Sequence, residues 1–169
     1  SLGLVGSEMC IRDRVISLPE FQAAKINDSV DFKSAACMGI PASTAYYGIF
    51  ANGSVKDKTV LISGGAGAVG FYGIQLAKLS GANVISTISS DEKGEVAQEA
   101  GADKVINYKN EDVVEEIMNY TDNKGVDRIF EVEFGGNLSI NEKVLKSNGV
   151  IAAYGLSLIH ISEPTRPNE

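Results

Sequence analysis

The sequence is poor in the residues that build disulfide and metal sites, with one histidine and two cysteines among 169 residues. Two cysteines form no disulfide framework, which favours a reducing, cytoplasmic location. No zinc-ligand spacing occurs, so we expect no metal site. Positive charge is also scarce, and the net charge of -7 argues against a nucleic acid or an anionic membrane bound by bulk charge. No apolar run is long enough to span a bilayer, so we expect no membrane partner.

The two ends of the sequence do not fit its middle. The first residues follow no helix or strand period, whereas the last start like a strand and end in a polar, proline-containing tail, for which a genuine tail is the alternative. One permitted codon choice for Leu4–Asp13 also encodes Ser157–Thr165 on the opposite DNA strand, in an offset frame. Unrelated peptides almost never allow this, and the DNA resembles a transposon-type sequencing adapter translated at both ends. We therefore expect residues 1–14 and 156–169 to be non-native segments.

The lone histidine, His160, falls in the second of these ends, so we expect it to have no catalytic role. Residues 15–155 then remain as a partial nucleotide-binding domain with lead-in helices. In the first part of this range, a helix capped near Ser29 or Asp31 is expected. Because proline is tolerated in a first helical turn, a second helix is predicted over 41–50. Cys37 lies in an apolar stretch, and we expect a buried structural thiol there.

From residue 59 onward, short apolar strands alternate strictly with helical segments. Strands are predicted at 59–63, 83–88, 104–108, 126–132 and 150–154, and helices at 71–80, 91–100, 112–120 and 138–145. Strict alternation implies right-handed crossovers and a parallel sheet covered on both faces. The predicted fold class is α/β, a doubly wound parallel sheet of the Rossmann type, incomplete in this chain.

A glycine loop, G-x-G-x-x-G, follows the first strand and opens the next helix. Gly65 is expected to permit the tight turn, Gly67 to let the backbone approach a pyrophosphate, and Gly70 to let helix and strand pack closely. The helix N-terminus then offers free N–H groups and a partial positive charge to the phosphates. The alternative is a glycine-rich turn that binds no ligand.

The end of the second strand indicates which dinucleotide is bound. NAD sites place an Asp or Glu about 20 residues after the loop, on the ribose hydroxyl. Here Ser89 and Ser90 offer small hydroxyls that accept a 2′-phosphate, and Lys93 adds positive charge. Asp91 and Glu92 are the counter-evidence, although acids are also favoured at a helix N-terminus. The sequence therefore predicts NADP (NADPH) rather than NAD.

Four stretches carry a family resemblance: GIPASTAYYGIF, VLISGGAGAVGFYGIQLAKLSGANVISTISSDEK, GADKVINYKNEDV and NGVIAAYG. Over residues 17–155 the chain resembles the medium-chain dehydrogenase/reductase superfamily, and most of all its zinc-independent quinone oxidoreductase branch, the zeta-crystallin type. Zinc-containing members place a cysteine ligand four residues before the threonine that matches Thr44. Ile40 stands at that position, so the resemblance implies no catalytic zinc.

The resemblance also implies where the cofactor would lie. Residues 66–69 would hold the pyrophosphate, and Tyr108 would join the second-strand residues around the 2′-phosphate. Thr44, Asn137 and Gly155 would lie on the nicotinamide side, although EVEFGGN departs from the commoner D-x-V-G form. The complete set of expected cofactor-binding residues is Thr44, Gly65, Ala66, Gly67, Ala68, Val69, Gly70, Ser89, Ser90, Lys93, Tyr108, Asn137 and Gly155.

The function implied by the resemblance is NADPH-dependent reduction of a quinone or enone, a small-molecule substrate, by hydride transfer to a conjugated carbonyl. The cofactor supplies that chemistry, so no residue is expected to be catalytic. The family's β-barrel domain, which forms much of the substrate cleft, has no counterpart in this sequence, so we expect the chain alone to be inactive. A homo-oligomer is plausible for the full-length protein. The alternatives are an enoyl-reductase domain of a larger synthase and a non-catalytic dinucleotide-binding module.

Overall fold

The computed structural model describes residues 19–23 and 25–155. The chain divides into two units, Ser1–Ala36 and Cys37–Glu169. In the first unit, a short 3₁₀ turn at Glu20–Gln22 precedes the start of helix α1, Phe32–Phe50. Among residues 19–23 and 25–155, no helix is both long and apolar enough to cross a membrane. The two terminal segments expected to be non-native lie outside the described residues.

Helix α1 begins where the sequence predicted a cap. The Asp31 carboxylate accepts hydrogen bonds from the N–H groups of Lys33 at 2.9 Å and Ser34 at 3.1 Å. The prediction of a separate helix from Pro41 is wrong, because α1 runs through Pro41 without a break. The prediction of a buried Cys37 is also wrong, since its side chain is exposed. The described helix buries residues only in its last turns, so apolar neighbours in sequence did not place Cys37 in a core.

Five parallel strands form a single sheet in the order β3-β2-β1-β4-β5. Their bounds and those of the helices between them are β1 Thr59–Ser63, α2 Ala68–Leu79, β2 Asn83–Ile88, α3 Asp91–Glu99, β3 Lys104–Asn107, α4 Val113–Tyr120, β4 Val126–Glu131, α5 Phe134–Val144 and β5 Leu145–Ala153. The strand order reverses between β1 and β4, and such sheets bind ligands outside the carboxyl ends of the strands at this switch point. The predicted doubly wound sheet is confirmed.

The core is divided by the sheet into two apolar clusters. Val60 and Ile62 of β1 pack in one cluster, with residues of α2 and α3. Leu61, between them in sequence, packs in the other with residues of α4 and α5. Because successive side chains of a strand point to opposite faces, helices cover both faces of the sheet. This is why the strands are continuous apolar runs.

A buried arginine ties β4 to the end of α1. Arg128 is 1% exposed, and its guanidinium donates to the carbonyl oxygens of Ile49, of Asn52 at 2.9 Å and of Gly53 at 3.3 Å. Burial lowers the pKa of Arg128. The last carbonyls of a helix lack hydrogen-bond partners within the helix and carry partial negative charge. The guanidinium therefore supplies donors to the end of α1 and a positive charge that balances the partial negative charge.

Replacing Arg128 with methionine is expected to reduce the free energy of unfolding by about 3 kcal/mol, because the carbonyls lose their donors. Urea denaturation followed by circular dichroism measures the change. Lys124→Met is the matched control, since Lys124 is exposed and its ion pair with Asp122 is long, at 3.7 Å. A loss at Arg128 no larger than that at Lys124 would contradict the role assigned to the buried guanidinium.

Candidate functional site

The glycine loop joins β1 to α2 at the switch point of the sheet. Gly64, with φ of 71°, makes the tight turn, so the expectation that Gly65 makes it is wrong. A Cβ on Gly65 would instead overlap the Ser86 hydroxyl, so this glycine is needed for packing against β2. A Cβ on Gly70 would overlap the carbonyl oxygen of Gly64 and lie 2.9 Å from Gly65 Cα, which confirms that Gly70 permits close packing. A Cβ on Gly67 would meet only Gly64 O, at 3.2 Å, and otherwise faces open space.

The N-terminus of α2 has no side-chain cap. Gly67 occupies the cap position, and the first turn contains no acidic residue. In α4, by contrast, the Asp112 carboxylate accepts hydrogen bonds from the N–H groups of Val114 and Glu115. The first N–H groups of α2 are therefore available to an anion, in a loop whose backbone a ligand can approach at Gly67.

The structure brings three predicted residues together beyond β2 and β3. The Lys93 ammonium donates to the Ser89 hydroxyl at 2.9 Å. Ile88 and Asn107 are in register, and the N–H of Tyr108 donates to the Ile88 carbonyl oxygen at 3.1 Å. Ser89 and Tyr108 each come directly after one of these paired residues. Lys93, with its ammonium, and Ser89 and Tyr108, with their hydroxyls, are therefore placed at the same carboxyl end of the parallel strands.

The two acids that opposed the NADP prediction lie in the first turn of α3. The Asp91 carboxylate accepts a hydrogen bond from the Asn107 side-chain amide at 3.0 Å, which ties α3 to the end of β3. Both acids are exposed at a helix N-terminus, where the helix dipole favours them. Ser90 is at the cap position of α3, but its hydroxyl makes no capping hydrogen bond.

A cleft of about 280 Å³ opens at the carboxyl ends of the central strands. It contains two of the predicted site residues, Tyr108 and Asn137, and it reaches the glycine loop at Gly64. Thr44 and Gly155 do not line it. The full lining is Leu61, Ser63, Gly64, Thr87, Tyr108, Val113, Val132, Glu133, Asn137, Ile140 and Asn141.

A buried carboxylate that the sequence analysis missed stands behind the cleft wall. Glu131 is 0% exposed and accepts four hydrogen bonds. Its Oε1 accepts from the Glu133 N–H at 2.8 Å and from Asn137 Nδ2 at 3.0 Å. Its Oε2 accepts from the Ser63 hydroxyl at 3.0 Å and from Asn141 Nδ2 at 2.9 Å. All four donors belong to residues of the cleft wall, so Glu131 positions that wall. The departure from the D-x-V-G form was the one available signal.

The ends of β4 and β5 meet near the remaining predicted residues. A Cβ on Gly155 would lie 3.1 Å from the carbonyl carbon of Val132, so glycine is required there. Thr44 is half-buried on α1, one turn before Gly48, and Gly48 packs against the ring of Phe130. Phe130 in turn stacks on Tyr154, with ring centroids 4.4 Å apart.

Burial, with the nearby charge of Glu131, raises the pKa of Tyr154 to about 12. Because an unfolded tyrosine titrates at about 10, this phenol contributes stability below about pH 10 that is lost as the pH rises through its folded value. The tyrosinate absorbance of the wild type minus that of Tyr154→Phe should therefore titrate near pH 12. A midpoint at the ordinary value would show that the phenol is not buried beside a carboxylate.

Tyr120 and Lys124 share the Y-x-x-x-K spacing of a catalytic pair in short-chain dehydrogenases, but the geometry differs from such a pair. Tyr120 ends α4 and donates to Asn83 Oδ1 at 3.0 Å, whereas Lys124 lies in the turn before β4. The two residues therefore do not share a helix.

Comparison with known proteins decides the family. Residues 68–167 match the family model described as zinc-binding dehydrogenase. Human quinone oxidoreductase is 31% identical over 132 residues, which are 78% of this chain and 40% of that protein. The chain belongs to this family of medium-chain dehydrogenases/reductases, and within the family it is similar to quinone oxidoreductases. It spans about 40% of the length of the curated quinone oxidoreductase it matches. Within 19–23 and 25–155, no three His, Cys, Asp or Glu side chains cluster as a metal site.

Solved structures of family members agree on the fold and differ in cofactor. Escherichia coli quinone oxidoreductase complexed with NADPH aligns with a TM-score of 0.73 and 30% identity, covering 79% of this chain and 41% of that one. An NAD-dependent alcohol dehydrogenase aligns with a TM-score of 0.76 and 30% identity, covering 82% and 40%. Membership of the family therefore gives a dinucleotide-binding fold, and the choice of dinucleotide depends on this chain's own residues.

Proposed function

We propose that this chain is the NADPH-binding part of a quinone or enone reductase. The observation that carries the proposal is the hydrogen-bonded Lys93–Ser89 pair, which lies with Tyr108 at the carboxyl ends of the strands. The uncapped N-terminus of α2 begins at the same end of the sheet. An ammonium and two hydroxyls at this end of the sheet would suit a phosphate on the ribose, and Ser89 and Ser90 directly follow β2, where NAD sites place a carboxylate. The adenosine half of NADPH would lie beside these residues.

The residues fit the rest of the dinucleotide as follows. Residues 66–69 would hold the pyrophosphate, since Gly67 leaves the backbone open and the start of α2 supplies free N–H groups and partial positive charge. Thr44, Asn137 and Gly155 would orient the nicotinamide side. NADPH would supply the hydride, and the chain's own contribution is binding and orientation, so we assign no catalytic residue.

The reaction we propose is reduction of a conjugated carbonyl in a small-molecule substrate. The human and E. coli proteins named above are quinone oxidoreductases, which supports a quinone as acceptor. A cytoplasmic location and a homo-oligomeric full-length protein belong to the same proposal. An enoyl-reductase domain of a larger synthase and a non-catalytic binding module are the alternatives.

The test compares the 169-residue chain with the longer protein of which we propose it is a part. The longer protein is expected to oxidise NADPH when benzoquinone is added, as followed by the loss of NADPH absorbance. The chain alone should bind NADPH without turnover, because proximity effects need both halves of the cleft. Absence of turnover by the longer protein would favour the binding module, and rapid turnover by the short chain would disprove that it is incomplete.

A further inference from the structure

Asn107, the last residue of β3, connects that strand to the start of α3. It is 7% exposed, and both ends of its side-chain amide are engaged. Its Nδ2 donates to Asp91 Oδ1 at 3.0 Å, and its Oδ1 accepts from the N–H of Lys109 at 3.2 Å. Because a carboxylate only accepts and an N–H only donates, these two partners fix the direction of the amide. Asn107 therefore holds one carboxylate oxygen of Asp91 at the end of β3.

Asp91 bears directly on the choice of dinucleotide. It is the first carboxylate after β2, close in sequence to the place where NAD sites use an acid to bind the ribose hydroxyl. At that place a carboxylate would accept a hydrogen bond from NADH and would repel the 2′-phosphate of NADPH. In the sheet, β2 lies between β3 and β1. The hydrogen bond to Asn107 therefore holds this carboxylate on the side of β2 away from β1 and its glycine loop.

The two faces of β3 separate Asp91 from Tyr108. Val105 packs in the cluster with residues of α2 and α3, whereas Ile106 packs in the cluster with residues of α4 and α5. Successive side chains of a strand alternate between the faces, so Asn107 lies on the same face as Val105 and meets Asp91 there. By the same alternation Tyr108 lies on the face of Ile106, where it lines the cleft. The Asp91 carboxylate and the Tyr108 side chain are therefore on opposite faces of β3.

We propose that Asn107 is a positioning residue that sets the preference of the site for NADPH. By holding the Asp91 carboxylate at the end of β3, it withholds from the dinucleotide the acid that would favour NADH. Asn107 acts through Asp91 and does not itself touch the cofactor. This inference rests on the proposed function, because it requires a dinucleotide whose ribose lies at the carboxyl end of β2.

The test is a pair of fluorescence titrations, with NADPH and with NADH, of the wild-type chain and of Asn107→Ser. Serine keeps a hydroxyl that accepts from an N–H two residues later, but it is too short to reach Asp91. The preference for NADPH, measured as the ratio of the two dissociation constants, should fall about 10- to 100-fold, because the released carboxylate binds the ribose of NADH and repels the 2′-phosphate. Equal weakening of both dinucleotides is the result of a purely structural role and would overturn the inference.

Changes at Asp91 separate a role through its carboxylate from a role in folding. Asp91→Asn alone should keep the wild-type ratio, because the carboxylate is already withheld from the dinucleotide. Added to Asn107→Ser, the same change should restore the wild-type ratio, since the released side chain no longer carries a charge. A rise of about 10-fold in the ratio for Asp91→Asn alone, or no recovery in the double variant, would contradict the inference.

Asn83→Ala is the matched control. Asn83 begins β2, at the amino ends of the strands, and its Oδ1 accepts a hydrogen bond from the Tyr120 hydroxyl at 3.0 Å. It should keep the wild-type ratio, and a fall as large as that in Asn107→Ser would overturn the inference. Asn107→Thr keeps the same hydroxyl and suits a strand, so it replaces the serine variant if that one does not fold.

The outcomes for the wild-type chain distinguish this inference from the proposed function. A wild-type chain that binds neither dinucleotide would refute the proposed function and the inference with it. A wild-type chain that prefers NADPH, with the same ratio in Asn107→Ser, would refute the inference alone.

Discussion

NADPH affinity is expected to fall about 100-fold when Gly67 is replaced with alanine, while the free energy of unfolding changes by less than about 1 kcal/mol. The backbone at Gly67, with φ of -75°, suits alanine, and the new Cβ would meet only Gly64 O, at 3.2 Å. It would otherwise occupy the open space through which a pyrophosphate reaches the N–H groups of α2. Isothermal titration and thermal unfolding of the same preparations measure the two quantities.

Two other glycines provide the contrast. Gly70→Ala should lose both binding and stability, the latter by about 1–3 kcal/mol, because its Cβ would overlap the backbone of Gly64. Gly39→Ala should lose neither, since nothing lies within 4 Å of that position. If Gly67→Ala bound NADPH as tightly as the wild type, the phosphates would not lie on this loop.

The second large effect concerns cofactor choice. Lys93→Ala is expected to weaken NADPH binding by about 10- to 150-fold, because one charge-assisted hydrogen bond to the 2′-phosphate is lost. NADH lacks that phosphate, so its affinity should hardly change. Fluorescence titrations of wild type and variant with each dinucleotide give the four affinities.

Lys56→Ala is the matched control, because Lys56 is also exposed but precedes β1. It therefore lies at the amino ends of the strands, away from the proposed phosphate site. It should leave both affinities unchanged. If Lys93→Ala weakened both dinucleotides equally, or if the wild type preferred NADH, the assignment to NADP would be wrong. Asp91 and Glu92 would then be the residues to test as ribose ligands.

The sheet could be predicted from the sequence because strands covered on both faces are continuous apolar runs, and the helices between them end at glycines such as Gly81 and Gly101. The loop could be predicted because glycine spacing there has a steric cause. Which glycine makes the turn was not predicted, although the end of β1 was, because the G-x-G-x-x-G spacing begins at Gly65 and leaves Gly64 outside the pattern. That strand stops at Ser63, so the turn falls on Gly64.

The parts that sequence reasoning missed depend on partners distant in the chain. Glu131 is buried because Ser63, 68 residues away, and two asparagines of α5 donate to it. Arg128 is buried because carbonyls 75 to 79 residues away accept from it. A charged residue in a strand does not reveal such partners. For the same reason α5 was predicted to begin at 138, although it begins at Phe134, beside this network.

A crystal structure of the chain with NADPH tests the central claim most directly. The account predicts the pyrophosphate against residues 66–69 at the start of α2, and the 2′-phosphate within hydrogen-bond distance of Ser89 and Lys93. A dinucleotide bound away from the glycine loop, or bound there with its 2′-phosphate turned away from Lys93, would contradict it.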